Sequence, residues 1–334
     1  MESWRSKKTL ILSRTDIMGL VTPAEYVACV EQAYRMHGEG RFSMEPKGHI
    51  VLDKYPGEWE AMPSYIEEPE AAACKWVSIR ENNRAKYDLP TVFSILIYTD
   101  PETGFPLAIC DGSYHTVQRT GASAAVSAKW MARPDSKVLA IVGGGNMAEG
   151  ALETCDTVFE WDEVRVWSRS ESTLDHFRSV MEPKIDGRYP IVTSTDVEST
   201  VRGADVVVTI TSSFAPILKA AQVRPGTHVA CMGTDTRGKQ EVEAELLAAA
   251  TVFTDEVAQS VSLGEAQHAV ARGLLAADSI VEIGAVINGD HPGRVSDAEI
   301  TVFDGTGVGL QDLAVAAVAV DRAVAKGLAT EVDF

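Results

Sequence analysis

A glycine-rich segment carries the strongest chemical signal in the sequence. It reads Gly143-Gly144-Gly145-Asn146-Met147-Ala148, directly after the apolar run 137–142 and at the start of a predicted helix. The pattern G-x-G-x-x-A between a strand and a helix is typical of loops that bind the pyrophosphate of a dinucleotide. The helix N-terminus offers free N–H groups to the phosphates. The segment therefore predicts a dinucleotide site that includes Gly143, Gly145, Asn146 and Met147, with a purely structural loop as the alternative.

The end of the next predicted strand indicates which dinucleotide is bound. An acidic residue there would accept hydrogen bonds from the adenosine ribose of NAD. This sequence has Ser168, Arg169 and Ser170 instead. An arginine flanked by serines can bind the 2′-phosphate of NADP, so NADP(H) is favoured. The alternative is that Arg169 is a solvated loop residue, and then NAD(H) can bind as well.

The glycine loop lies in a region that alternates short apolar runs with helical stretches. Continuous runs of Val and Ile separated by helices are typical of a parallel sheet that is buried on both faces. The predicted strands are 137–142, 163–167, 189–192, 205–210, 227–232 and 251–253. Helices are predicted over 121–132 and over 311–326, the second ending at Gly327.

The first 118 residues follow a different pattern. The segment Thr22–Glu25 is a capping box with proline at the first helical position, and it predicts a helix that stops at Gly38. The runs 91–98 and 105–110 flank a turn cluster and predict a β-hairpin. A hairpin has no place in a parallel sheet, so the sequence predicts a separate α+β region.

Composition excludes several function classes. The 334 residues include 48 acidic and 30 basic ones, which gives a net charge of −18. Such a surface repels phosphate backbones and anionic lipids, so neither nucleic acid nor a membrane is an expected partner. Five scattered cysteines without a CxxC pair argue against disulfides and indicate a reducing cytoplasm, and seven histidines without HxH or HExxH spacing argue against a metal centre. We therefore expect a cytoplasmic protein without a metal.

Taken in order, five segments resemble one family over nearly the whole chain. They are 100–104 (DPETG), 119–122 (RTGA), the glycine loop, 233–239 (GTDTRGK) and 303–313 (FDGTGVGLQDL). The resemblance is to the ornithine cyclodeaminase/mu-crystallin family. The stretch 209–269 is similar to its imine-reducing branch, which includes ketimine and iminosuccinate reductases.

This resemblance implies both a fold and an activity. The fold is a doubly wound parallel Rossmann sheet over residues 119–309, plus an α+β substrate-binding and dimerisation domain built from residues 1–118 and 310–334. A homodimer is implied, since the sheets of two subunits form a barrel-like interface. The implied activity is NAD(P)H-dependent reduction of a 2-imino acid to an L-amino acid, reversible as an amino-acid dehydrogenase.

An imino or amino acid needs cations for its carboxylate and a proton relay for its nitrogen. The resemblance places Lys47, Lys75 and Arg119 at the family's carboxylate positions, and Lys75 is also counted as catalytic. Glu60 stands where the family has a glutamate that assists the amine. Other members have Arg at the position of Lys47, so the binding geometry can differ from the bidentate pattern.

Each of these residues has an ordinary structural alternative. Lys75 could be a snorkelling surface lysine, Arg119 could form an interdomain salt bridge, and Glu60 could be a carboxylate of a surface loop. Lys75 follows the apolar run 71–73, and burial there is costly without an anionic partner such as a substrate. Arg119 is expected to open a helix, where an anionic ligand would offset the unfavourable macrodipole.

Asp235 is the leading catalytic candidate. It follows the strand 227–232, at the sheet edge where doubly wound folds bind ligands, and the family uses an aspartate of this motif as its proton relay. The alternative is an aspartate that caps the following turn. Lys239 could bind either Asp235 or the cofactor.

The predicted cofactor-binding set extends beyond the glycine loop and the segment 168–170. It also includes Thr91, Arg119, Thr211, Cys231, Gly233, Asp235, Lys239, Gly305 and Thr306. Gly305 and Thr306 are expected close to the nicotinamide, although many members have serine there. Cys231 lies in a predicted strand and is interpreted as a core residue rather than a nucleophile.

Two other functions remain open at this point. One is an ornithine cyclodeaminase-type lyase, which retains NAD⁺ and needs a carboxylate to recognise the distal amine of its substrate. The other is a non-catalytic NADPH-dependent binding protein. The lack of an acidic residue at 168–170 favours NADPH and hence reduction, and the presence of Lys75, Arg119 and Asp235 argues against a non-catalytic role. Arg80 could supply a cation for an acidic substrate side chain.

Overall fold

The computed structural model describes residues 7–80 and 82–333, so the predicted domain limits at residues 1 and 334 lie outside the described part. The elements before the glycine loop are β1 (Thr9–Leu12), α1 (Arg14–Ile17), α2 (Pro23–Gly38), β2 (Phe42–Met44), β3 (Gly48–Leu52), β4 (Tyr55–Glu67), β5 (Glu70–Ile79), α3 (Asn83–Tyr87), β6 (Val92–Thr99), β7 (Pro106–Asp111), α4 (Ser113–Met131) and β8 (Val138–Val142).

The elements after the glycine loop complete the chain. They are α5 (Asn146–Cys155), β9 (Glu163–Trp167), α6 (Glu171–Ile185), β10 (Ile191–Ser194), α7 (Val197–Val201), β11 (Val206–Thr209), β12 (Phe214–Leu218), β13 (His228–Cys231), β14 (Gln240–Val242), α8 (Ala244–Ala248), β15 (Thr251–Thr254), α9 (Val257–Leu263), α10 (Ala266–Ala271), β16 (Val281–Glu282), α11 (Ile283–Ile287), β17 (Thr301–Asp304), α12 (Gly309–Lys326) and β18 (Thr330–Val332), with short 3₁₀ turns at Ala220–Gln222 and Ala277–Ser279.

The chain packs into two units. The terminal unit joins the residues up to Arg119 with those from Val308 onwards, and the central unit comprises Thr120–Gly307. Both ends of the chain therefore contribute to one unit. None of the helices in the described part of the chain is long and apolar enough to cross a bilayer.

An eight-stranded parallel sheet forms the core of the central unit. Its order is β10-β9-β8-β11-β13-β17-β15-β16. The first five strands of this order show the reversal at β8 and β11 that defines a doubly wound sheet. Strands β11 and β13 are buried along their whole length, as expected for Val-rich strands covered on both faces. The doubly wound fold predicted from the sequence is confirmed.

The sequence analysis missed β17, which lies in the middle of this sheet, between β13 and β15. The run is only four residues long and ends in Asp304, so its apolar content is too small for a confident strand pattern. Asp304 is nevertheless fully buried. Its carboxylate accepts hydrogen bonds from the Ser260 hydroxyl at 2.6 Å and from the Glu265 and Ala266 N–H groups at 2.9 and 3.0 Å, which offset the cost of burial.

A second eight-stranded sheet forms the terminal unit. Its order is β18-β1-β7-β6-β5-β4-β2, with β3 paired to β4. The predicted hairpin is confirmed, since β6 and β7 pair antiparallel. β18 pairs antiparallel with β1, which joins the two ends of the chain. The predicted capping box is also confirmed: the Thr22 hydroxyl accepts the Glu25 N–H, and the Glu25 carboxylate accepts the Thr22 N–H.

Helix α4 corrects one expectation about Arg119. The helix begins at Ser113 rather than at residue 121, because the Asp111 carboxylate accepts the N–H groups of Ser113 and Tyr114, both at 3.1 Å. Arg119 therefore lies inside the helix, and the prediction that it opens a helix is wrong. The argument from the macrodipole at a helix start does not apply to it.

Candidate functional site

The local backbone geometry requires glycine at position 143, whether or not a ligand is bound. Its φ angle of 128° lies in the region that favours glycine, and its N–H donates to the Trp167 carbonyl at 3.0 Å. A Cβ atom added here would lie 2.6 Å from the Ile210 carbonyl oxygen. The first glycine of the loop thus lets strand β8 turn into helix α5 past the end of β11.

Gly145 differs from Gly143 because no neighbouring atom requires it. It is the N-cap of α5 with a φ of −82°, and a Cβ atom placed on it would meet nothing within 4 Å. A side chain would therefore only fill the open space in front of the N–H groups of α5. A pyrophosphate needs this space and these donors, so the loop fits a dinucleotide.

The segment 168–170, which follows β9, contains the predicted cofactor residue Arg169. Arg169 is exposed and forms no ion pair with any residue that the structure describes. The Ser170 hydroxyl hydrogen-bonds to the Ser172 hydroxyl at 2.7 Å. The Arg169 guanidinium is thus available to an added anion.

Asp235 lies in the 233–239 loop that follows β13. Its Oδ1 accepts a hydrogen bond from Lys239 Nζ at 2.6 Å and from the Thr236 hydroxyl at 3.2 Å. About a third of the Asp235 side chain is exposed, at 32 %. Lys239 thus binds Asp235, one of the two partners expected for it. Part of the Asp235 side chain remains accessible.

Buried carboxyl groups that the sequence analysis missed fix both ends of this loop. Glu241 accepts hydrogen bonds from the N–H groups of Thr211 and Gly233 at 2.5 and 2.8 Å, and from the Thr209 hydroxyl at 2.7 Å. Glu265 accepts the Thr234 hydroxyl at 2.5 Å. Burial raises the pKa of Glu241, and it raises the pKa of Glu265 to about 8. Thr211 and Gly233, both predicted cofactor residues, therefore lie close together, because both donate to the Glu241 carboxylate.

Gly305 and Thr306 are also held by the central unit. The Gly305 N–H donates to the Cys231 carbonyl at 2.9 Å, and Asp255 accepts the Thr306 N–H and hydroxyl at 3.0 and 2.6 Å. A Cβ atom on Gly305 would lie 2.6 Å from Met232 Cε. The Cys231 side chain is fully buried, and burial raises the pKa of its thiol well above the ordinary value. The thiol therefore has no surface to offer a ligand.

Lys75 is the most deeply buried cation among the predicted site residues. It projects from β5 with 1 % of its surface exposed, and its Nζ lies 2.8 Å from Asp312 Oδ1. The snorkelling alternative is therefore wrong. The anionic partner that burial of a lysine demands is supplied by α12 of the same unit.

Arg119 approaches the other oxygen of the same carboxylate. Its Nε lies 3.3 Å from Asp312 Oδ2, and its Nη1 donates to Gln311 Oε1 at 2.9 Å. The ion pair of Arg119 thus lies within the terminal unit, not between domains. Burial acts to raise the pKa of Asp312, but Arg119 and Lys75 outweigh it and hold that pKa below its usual range.

Asp312 and Gln311 are site residues for which the sequence analysis proposed no role. Both belong to the segment 303–313 that carried the family resemblance. An acidic residue in the first turn of a long apolar helix is a common feature, because it interacts favourably with the helix dipole, so its position alone did not single it out. Its partners are 237 and 193 residues away along the chain, and only the fold brings them to it.

The remaining predicted residues of the terminal unit lie on or beside its sheet. Glu60 is on β4 and 3 % exposed, so the alternative of a surface loop is wrong. The His49 Nδ1 lies 2.8 Å from Glu58 Oε2 and 4.0 Å from Glu60 Oε1. Lys47 is partly exposed between β2 and β3, and Thr91 immediately precedes β6.

Arg80 is engaged by its neighbours. Its guanidinium lies 3.8 Å from the centre of the Trp59 ring, and its Nη1 donates to the carbonyls of Glu58 and Ile79 at 3.1 and 2.8 Å. These contacts hold the group in place at the end of β5.

Comparison with known proteins identifies the family. The model of the ornithine cyclodeaminase/mu-crystallin family matches residues 7–327. The chain belongs to this family. The resemblance described from the sequence motifs is thereby confirmed.

Three of the most similar proteins define the neighbourhood of the chain within the family. The iminosuccinate reductase of Paracoccus denitrificans is 38 % identical over 97 % of this chain and 100 % of its own length. An archaeal alanine dehydrogenase, solved as a dimer with bound NAD, is 37 % identical with a TM-score of 0.92, over 98 % of this chain and 100 % of that one. The Δ1-pyrroline-2-carboxylate reductase of Thermococcus litoralis, solved with NADH and L-proline, is 28 % identical with a TM-score of 0.93, over 97 % and 100 %.

The contrast between the two loop glycines can be tested. Gly145→Ala should fold with unchanged thermal stability and bind NADH or NADPH about tenfold more weakly or worse, a loss of ~1.4 kcal/mol, because the methyl group takes the space of the pyrophosphate. Fluorescence titration of the reduced dinucleotide measures this affinity. Gly143→Ala should instead lower the melting temperature, since it combines a strained φ with a collision. Full dinucleotide affinity in Gly145→Ala would contradict the assignment of the site.

Proposed function

We propose that the protein reduces a 2-imino acid of the ketimine or iminosuccinate type to an L-amino acid with a nicotinamide dinucleotide, and that it catalyses the reverse amino-acid dehydrogenation. The observation that carries the proposal is the pair of buried cations, Lys75 and Arg119, which share one carboxylate, that of Asp312. One carboxylate does not use all the hydrogen-bond donors of an ammonium and a guanidinium group, so both cations can also bind a substrate carboxylate.

The enzyme class follows from the family neighbourhood. The curated relatives named above act on CH–NH or CH–NH₂ groups, and the chain is an NAD(P)-dependent oxidoreductase of this class. The finer substrate assignment rests on the cation cluster. We propose that the terminal unit binds the substrate through Lys75 and Arg119. The central unit binds the dinucleotide through the glycine loop.

The chemistry assigns one task to each group. Lys75 and Arg119 bind the substrate carboxylate and fix the orientation of the α-carbon. A nicotinamide dinucleotide held through its pyrophosphate at the glycine loop would supply a hydride to that carbon. Asp235 delivers a proton to the nitrogen in reduction and accepts one in the reverse direction, and its contact with Lys239 orients it. The imino acid gains a hydride on carbon and a proton on nitrogen, so the balance closes on the amino acid.

A cyclodeaminase-type lyase is the rival activity, and a direct assay separates it from the reductase. Oxo acids mixed with ammonia or methylamine are screened for loss of NADPH or NADH absorbance, while ornithine is tested for release of ammonia without net change in the dinucleotide. Dinucleotide consumption with at least one oxo acid supports the reductase. Ammonia release from ornithine without such consumption would favour the lyase.

For the cofactor we propose that NADP(H) is favoured and that NAD(H) can also bind. The support is the exposed Arg169, between two serines and without an ion pair in the described part of the chain. The solved relatives contain NAD or NADH, which shows that the family scaffold accepts the dinucleotide without a 2′-phosphate. The arginine adds the contact that the phosphate needs.

A homodimer is part of the same proposal. The terminal sheet presents large exposed apolar side chains on one face: Trp76, Phe93 and Ile95 are 37 %, 42 % and 45 % exposed. Trp76 and Ile95 are direct neighbours across β5 and β6, so the patch is continuous. We propose that a second copy of the chain covers this face, in line with the dimer described for the archaeal alanine dehydrogenase.

The role of Asp235 is tested by Asp235→Asn. This variant is nearly isosteric and should fold and bind NADPH, but its amide cannot exchange a proton, so kcat should fall by about 10²–10⁴-fold. Stopped-flow or steady-state loss of dinucleotide absorbance measures kcat. Asp278→Asn removes an exposed aspartate from the 3₁₀ turn Ala277–Ser279, which carries none of the predicted site residues, and should leave kcat unchanged. Near-normal turnover in Asp235→Asn would mean that another group relays the proton.

The role of Arg169 is tested by Arg169→Ala. Loss of a charge-assisted contact with the 2′-phosphate costs roughly 1.5–3 kcal/mol, so the KM for NADPH should rise about tenfold or more while that for NADH changes little. Arg178→Ala, which removes an exposed arginine of α6 bound to Glu182, is the matched control and should affect neither cofactor. Equal effects on both cofactors would refute the 2′-phosphate contact.

The dimer is tested by Ile95→Asp. A carboxylate in the middle of the exposed apolar patch cannot be buried against a second copy without a large desolvation cost, so sedimentation should show monomers. Val192→Asp places the same charge on an exposed valine of the central sheet and should leave the dimer intact. A wild-type protein that sediments as a monomer at micromolar concentration, or an Ile95→Asp variant that still dimerises, would overturn the proposal.

A further inference from the structure

The Asp312 carboxylate bridges the two cations that are assigned to the substrate. Its Oδ1 lies 2.8 Å from Lys75 Nζ and its Oδ2 lies 3.3 Å from Arg119 Nε. Only 1 % of the surface of Lys75 and of Asp312 is exposed, and 7 % of that of Arg119. Asp312 is therefore the one side chain named here that contacts both cations, with Gln311 as a further contact of Arg119, and no role has so far been assigned to it.

The fold places this side chain firmly. Asp312 lies in the first turn of the 18-residue helix α12, where the helix dipole favours a negative charge. The helix approaches β4 closely, since a Cβ atom on Gly309 would lie 3.0 Å from the Met62 carbonyl oxygen and 3.1 Å from the Ser64 hydroxyl. Met62 is the direct neighbour of Lys75 across β4 and β5. The start of α12 thus packs on β4, directly beside the position of Lys75 on β5.

In the described part of the chain, the leading titratable groups that act on Lys75 come from three elements around it. Asp312 comes from α12, Arg119 and His115 from α4, and Glu60 from β4. Burial lowers the pKa of His115 to about 4, so this ring is neutral at neutral pH. Its Nδ1 is hydrogen-bonded to the Tyr26 hydroxyl at 2.8 Å. The carboxylate that contacts the ammonium directly is that of Asp312.

The geometry points to Asp312 as a positioning residue, whose carboxylate keeps Lys75 protonated in the dry interior and holds its ammonium beside the Arg119 guanidinium for a carboxylate ligand. The inference rests on the proposed function only in taking that ligand to be the substrate. The residue acts through the two cations and transfers no proton to the substrate itself.

The pKa of Lys75 provides a measure of this role, because burial and Asp312 act on it in opposite directions. Burial lowers the pKa of Lys75 to about 8, and the charge of Asp312 is the strongest opposing influence, while Arg119 adds to the lowering. Without the Asp312 charge, desolvation and Arg119 would lower this pKa further. Each unit of that fall reduces the protonated fraction about tenfold on the alkaline side, so a carboxylate ligand loses one of its two cations near neutral pH.

The first experiment needs no substrate. The full-length protein is labelled with [¹³Cε]lysine, the Lys75 resonance is assigned by its absence in Lys75→Arg, and its chemical shift is followed with pH in the wild type and in Asp312→Asn. We expect the midpoint to fall by at least one pH unit in Asp312→Asn. Asp312→Glu keeps the charge and should stay closer to the wild type. An unchanged midpoint in Asp312→Asn refutes the inference, whatever the enzyme reduces.

The second experiment measures the consequence for binding. Pyrrole-2-carboxylate, whose charge is constant from pH 7 to pH 9.5, serves as a carboxylate probe, with its affinity measured by calorimetry in the presence of dinucleotide. In the wild type the affinity should fall above about pH 8, as Lys75 loses its proton. In Asp312→Asn the fall should begin at least one unit lower. Adding Lys75→Arg to Asp312→Asn should remove the pH dependence, because arginine stays protonated.

The outcomes separate the inference from the proposed function. A shifted Lys75 titration without any binding of the probe supports the positioning role and argues against a carboxylate substrate. Binding with an identical pH dependence in wild type and Asp312→Asn supports the substrate and refutes the positioning role. If Asp312→Asn does not fold, the folding of the double variant Lys75→Met/Asp312→Asn tests the inference instead. Recovery of folding supports the counter-charge role, because the double variant removes one charge of each sign, and failure to recover contradicts it.

Discussion

Only 1 % of the surface of Lys75 is exposed, and the arrangement of the terminal unit supplies the counter-charge of its ammonium group. A buried lysine is tolerated only beside an anion, and here the anion comes from the first turn of α12, more than 200 residues further along the chain. The chain must therefore return from the central unit to its own N-terminal sheet. The close approach at Gly309, the pairing of β18 with β1 and the contact of Arg119 with Gln311 and Asp312 all accompany that return. The split construction of the unit and its charge cluster thus have one common physical basis.

The central unit satisfies its buried charges in a different way. Glu241, Asp255, Glu265 and Asp304 have almost no exposed surface, and their hydrogen bonds come from N–H groups and hydroxyls rather than from cations. Each of these carboxyl groups lies where loops leave the sheet. Glu241 joins the segment after β11 to the start of the 233–239 loop, and Asp255 holds the segment that follows Gly305. The loops that carry the predicted relay and cofactor residues are therefore fixed by polar bonds that no apolar packing would provide.

Features of the fold and of the site could be predicted from the sequence where neighbouring residues determine them. Features that depend on residues far apart in the sequence could not. The turn at Gly143 and the capping box at Thr22 are set by neighbouring residues, and both were predicted. The start of α4 was placed eight residues too late because its cap, Asp111, lies beyond the apolar pattern used to find the helix. Asp304 and Asp312 were missed as buried groups, since an aspartate reads as a surface residue until its partners are known. Those partners come from distant segments, and only the folded sheets bring them together.

The two sets of buried acids respond to pH in opposite directions. Asp312 has a lowered pKa because two cations outweigh its burial, so it stays ionised and its charge can be used for binding. Burial raises the pKa of Asp304 to about 7 and that of Glu265 to about 8, since neutral donors replace only part of the lost hydration. In the unfolded chain these two groups ionise near pH 4, so between about pH 4 and pH 8 the folded state binds more protons than the unfolded one. Their contribution to the free energy of unfolding is therefore greatest at acidic pH and declines as the pH rises through 7 and 8. Lys75, whose pKa burial lowers to about 8, loses its positive charge as the pH rises through the same range, so the cation that is proposed to hold the carboxylate is also lost at alkaline pH.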